Sequence, residues 1–135
     1  MKTWHVMILL IVLIAAVVPA FCAQKPASPA VPKYDVATEA TFKGTVEEVR
    51  DRQCPVSGGM GSHIILKLSD GKTIEVHLAT TKFVQQYELV FSKGDQVEVV
   101  GSKVKFEDVD TIFAREIRRG TDTFVFRDKA GAPIW

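Results

Sequence analysis

Four side chains near the middle of the chain have the chemistry to hold a metal ion together: Cys54, Met60, His63 and His77. Thiolate and thioether sulfur are soft donors, and combined with imidazole they suit Cu(I) best and Zn(II) next. Spacing decides whether they can meet. His63 and His77 sit on two apolar runs that read as the arms of one hairpin. In a strand, residues of like parity share a face. With Leu66 placed opposite Val76, His77 faces Ile65 and His63 becomes its diagonal neighbour, roughly 7–8 Å away at Cα. Alternation then turns Ile64, Leu66, Leu68, Ile74, Val76 and Leu78 inward and both histidines outward. The competing reading is two solvated imidazoles, a packed thiol and a loop methionine, since scattered ligands are usually incidental.

Other groups point to other chemistry. Residues 54–62 (CPVSGGMGS) form a Gly- and Ser-rich connection in which Cys54, Ser57, Met60 and Ser62 are candidate ligand contacts. The segment lacks the Gly-Lys-Ser/Thr ending of a phosphate loop and precedes a strand, not a helix. Arg115, Arg118 and Arg119, continued by Arg127 and Lys129, make a basic strip that would suit an anionic ligand. Single-stranded nucleic acid needs a cationic groove with free aromatic platforms. Here Glu116, Asp122 and Asp128 interrupt the strip, which argues against nucleic acid. Ser57 and Ser62 lie near His63, but no orienting acid or oxyanion hole accompanies them. The expectation is a protein that is not an enzyme and carries no obligatory cofactor, with copper or zinc as the alternative.

The compartment follows from the first 22 residues. Lys2 precedes an uninterrupted apolar run over residues 6–18, thirteen residues long. That is too short to span a bilayer and is typical of a signal peptide. Removal of residues 1–22 leaves 16 basic and 16 acidic residues and one cysteine, Cys54. Periplasmic or secreted location is therefore expected, with no membrane span after cleavage. Phe21 departs from a lipoprotein box, so no lipid anchor is expected at Cys22. A lone thiol in an exported chain is buried and inert, paired with another molecule, or a ligand. Residues 23–39 read as a Pro/Ala-rich linker and residues 40–135 as one domain.

From Thr41 the apolar period is two, slipping by one residue at Glu47-Glu48 as a β-bulge would require. Turns follow at Ser69-Asp70-Gly71-Lys72 and Lys93-Gly94-Asp95, and Thr80 or Thr81 can cap a short helix carrying Phe83, Val84 and Tyr87. Strands are expected over residues 96–106, 111–118 and 123–127. The order predicts an all-β fold: a small five-stranded OB-type Greek-key barrel, one short helix between strands three and four, and an extra C-terminal strand. The segment 94–101 (GDQVEVVG) resembles the start of strand four in many OB barrels. The chain is similar to exported bacterial OB-fold families, including periplasmic stress-tolerance proteins. In outline it also resembles small exported OB barrels that bind copper through Met and His. The resemblance implies a binding module for a small ligand or an exported partner protein.

Overall fold

The computed structural model describes residues 30–135; the expected signal segment, with Cys22, lies outside the described residues. β1 (Glu39–Cys54) is long enough to serve two neighbours. Its first half pairs antiparallel with β4 (Gln96–Phe106), from Glu39↔Ser102 to Thr45↔Gln96. Its second half pairs with β2 (Gly59–Leu68) as far as Cys54↔Gly59. The changeover uses a register shift between Val46 and Glu48, at the parity slip in the sequence. Gly44 makes the crossing possible, because a Cβ there would collide with the Lys67 carbonyl oxygen.

β3 (Thr73–Thr80) adds to β2, and β5 (Val109–Arg119) adds to β4. β3 and β5 then pair in parallel, Glu75↔Thr111 to His77↔Phe113, so that five strands close on themselves. β6 (Asp122–Val125) extends the other half of β5. The fold is all-β with six strands, the helix falling between β3 and β4 as expected. Inside the ring, Val46, Ile64, Leu66, Val76, Leu78, Val99, Ile112, Ile117 and Phe126 lose all contact with water. These are the alternating residues of the five strands plus one from the tail. Each contributes about 1.5–3 kcal/mol by leaving water.

α1 (Thr81–Gln86) is shorter than its sequence pattern suggests. Thr80 caps it, its hydroxyl accepting from the Phe83 N–H at 3.2 Å. Phe83, Val84 and Leu89 pack on the core, whereas Tyr87 ends the helix exposed, its ring against Phe83. Thr80→Ala is expected to cost about 1 kcal/mol, seen as a lower urea midpoint at unchanged slope.

Two expectations need correction. The β2–β3 hairpin pairs Leu66 with Ile74, not Val76, and this two-residue change sets His63 directly opposite His77. The Leu68 N–H donates to the Lys72 carbonyl, so the loop spans residues 69–71. The 54–62 segment is not a long loop: β1 and β2 zip up to Cys54↔Gly59, leaving residues 55–58 as a four-residue turn. β4 and β5 are joined by a two-residue turn, Glu107-Asp108, with both φ values positive (50° and 61°). Asp110 belongs to β5 and pairs with Lys103 and Lys105.

Candidate metal site

The parity of the histidines is as the sequence implies, but their exposure is not. Ile64, Val76 and Leu78 point into the ring, so His63 and His77 point away from it. Yet each histidine is only 1% exposed. A second layer covers this outer face. His77 lies beside Phe113 across the parallel seam, with ring centroids 5.6 Å apart. From the tail, Trp135 approaches His77 at 5.8 Å. From the 55–58 turn, Ser57 Oγ lies 2.8 Å from His77 Nε2, in a hydrogen bond that either atom can donate. The turn is held for this contact by the Ser57 N–H donating to the Cys54 carbonyl at 3.1 Å.

Cys54, the last residue of β1, is buried and forms no disulfide among the described residues. The ligand atoms of Cys54, His63 and His77 all lie within 4.8 Å of one another. The imidazoles meet edge to face with centroids 5.0 Å apart. Gly61 leaves the room for this cluster. A Cβ there would stand 2.6 Å from Ser57 Oγ, 3.0 Å from Cys54 Cβ and 3.1 Å from His63 Cε1.

The electrostatics keep both rings neutral. Burial pushes the His77 pKa down to about 3, with His63, Arg127 and Arg52 adding to the effect. Burial also lowers that of His63, partly opposed by Glu75, whose carboxylate lies 3.8 Å from His63 Nε2. Glu75 is itself engaged by Arg52 at 2.8 Å. Both ring nitrogens of His63 and Nδ1 of His77 are buried without a hydrogen-bond partner. The Arg50 and Gly61 carbonyls lie near His63 without meeting hydrogen-bond geometry. A buried polar atom left unsatisfied costs about 1–3 kcal/mol. Three on adjoining rings beside a thiol is a donor set suited to a soft ion, since metal ligation requires neutral imidazole and thiolate.

The other candidates are not brought in. Met60 is exposed on the strand face opposite Gly61, so it does not join the three ligands. Ser62 is buried in β2, and of the expected ligand-binding loop only Cys54 and Ser57 reach the cluster. Three of the four arginines of the basic strip are paired with carboxylates. Arg115 holds Glu39 through two hydrogen bonds at 2.9 and 3.0 Å and also reaches Glu116. Arg118 bridges Glu98 and Glu116. Arg119 binds Asp95 and stacks on Phe91 and Phe124. Sequence reasoning missed Arg127 and Trp135 as neighbours of the histidines. Only the apolar character of the chain's last residues pointed to the tail folding back.

No curated protein matches the chain. The family model of the MamS/MamX magnetosome proteins matches residues 38–124, which include Cys54, His63, His77 and all of β1 to β5. The chain belongs to the MamS/MamX magnetosome protein family.

Proposed function

We propose that this protein is an exported, non-enzymatic binding module of OB type whose ligand is a soft transition-metal ion, Cu(I) or Zn(II). Cys54 supplies a thiolate and His63 and His77 supply imidazole nitrogens. The observation that carries the reading is the set of three unpartnered imidazole nitrogens packed against a buried thiol. Export rests on the pattern of the first 22 residues, and the binding role is consistent with a magnetosome protein family without being specified by it. Metal uptake would release the thiol proton and fill a gap in hydrogen bonding that the fold otherwise leaves open.

The test is a melt of the reduced processed protein with and without each ion, repeated on the His63→Ala/His77→Ala double variant. An ion at about 100 times its dissociation constant adds about 2.7 kcal/mol. For a domain of this size that raises the midpoint on the order of 10–20 °C. The rise is expected in the wild type and absent in the double variant. No rise with either ion would overturn the metal reading and make the pair a packed core element. The search would then turn to co-purifying exported proteins.

A further inference from the structure

Arg127 is the unusual charge beside this site. It is 4% exposed, and its guanidinium lies against the rings of Tyr34, Phe113 and Trp135, 4.8 Å from the Trp135 centroid. Nη1 donates to the Gly131 carbonyl at 2.9 Å, while Nε has no partner. Among the described residues no carboxylate pairs with it, and burial lowers its pKa. Two of the rings it touches, Phe113 and Trp135, also touch His77. Arg52 also acts on both rings, but Glu75 neutralises it. One uncompensated positive charge therefore remains next to the ligands.

We infer that Arg127 is a specificity-determining residue that makes the Cys54–His63–His77 site select a monovalent ion, Cu(I), over Zn(II). The inference rests on the metal reading above. One thiolate and one Cu(I) sum to a neutral site, which a buried environment accepts. One thiolate and Zn(II) leave a net positive charge facing the Arg127 guanidinium, a like-charge contact with little water to screen it. The donor count agrees. Structural zinc takes four protein ligands, whereas copper is held in trigonal His₂Cys arrangements. With Met60 on the opposite face, the described residues offer three.

The experiment is a competition titration of the processed, reduced protein with Cu(I) and with Zn(II), on wild type, Arg127→Met and Arg127→Lys. Wild type should bind Cu(I) far more tightly than Zn(II). Arg127→Met removes the cation at similar volume. At an effective dielectric near 20, one charge roughly 10 Å away changes affinity on the order of tenfold per unit of charge that binding adds to the site. Because uptake releases the thiol proton, Cu(I) adds none and should bind the variant about as tightly as wild type, whereas Zn(II) adds one and should bind more tightly by about that factor. Arg127→Lys should keep the wild-type ratio. An unchanged ratio in Arg127→Met would reduce Arg127 to packing and overturn the inference. So would a wild type that binds Zn(II) as tightly as Cu(I), a result that needs no variant to fold. Wild type binding neither ion would instead overturn the metal reading itself.

Discussion

Replacing Gly61 by alanine should weaken metal binding about 10–100-fold while the metal-free protein still folds, because groups that orient ligands affect affinity on that scale. Gly61 lies in β2 next to the 55–58 turn, in ordinary strand conformation, so the substitution brings no backbone strain. Its new methyl group would meet the Ser57 hydroxyl at 2.6 Å, which can rotate away at little cost. It would also press Cys54 Cβ at 3.0 Å and His63 Cε1 at 3.1 Å, and these are the bases of two of the three ligands. Relief moves the thiol and the ring by a few tenths of an ångström, in directions set by the methyl and not by the metal. The measurement is the metal-induced rise in melting temperature, together with the dissociation constant. A variant with unchanged affinity would show that the ion, if bound, is held elsewhere.

Acidification should destabilise the metal-free protein well above the range in which carboxylates protonate. His77 has an ordinary pKa near 6.5 in the unfolded chain, and burial pushes it down to about 3 in the folded one. Between those values the unfolded chain takes up a proton that the folded protein does not. Stability is therefore fully present above about pH 6.5 and is lost as pH falls, by about 1.4 kcal/mol per pH unit. By pH 4 the loss from His77 alone is about 3 kcal/mol. His63 adds in the same direction, with Glu75 opposing and Arg52 reinforcing its depression. Glu39, Glu48, Asp95 and Asp110 are held below the usual carboxylate range by basic side chains, with the Tyr34 hydroxyl helping at Glu39 and the Ser92 backbone leading at Asp95, so they add losses only in stronger acid. The window from pH 6.5 to 5 isolates the histidines. Urea unfolding at pH 7, 6 and 5 should show the decline in wild type and a shallower one in His77→Gln. A flat wild-type profile over that window would mean that the folded protein admits charged imidazole.

The order of strands, the position of the β-bulge, the inward residues and the capped helix were legible in the amino-acid sequence. All of them are short-range: alternation selects a face, a parity slip marks an inserted residue, and a hydroxyl three residues before an amide makes a cap. The donor types, Cys54, His63 and His77, were legible for the same reason. Alternation also places the histidines away from the ring's interior. It carries no information about what lies beyond that face. The tertiary structure alone decided that the 55–58 turn, Phe113 and Trp135 cover it, turning two expected surface imidazoles into a buried pair. The hairpin register was decided there too. A shift by two residues keeps every side chain on its face, so hydrophobic pattern could not distinguish Leu66 opposite Val76 from the observed Leu66 opposite Ile74. Likewise the basic strip looked available on paper because its partners are remote in the chain, as Glu39 is from Arg115. Face and period are properties of neighbouring residues, whereas burial and charge compensation depend on which distant segments the closed sheet brings together.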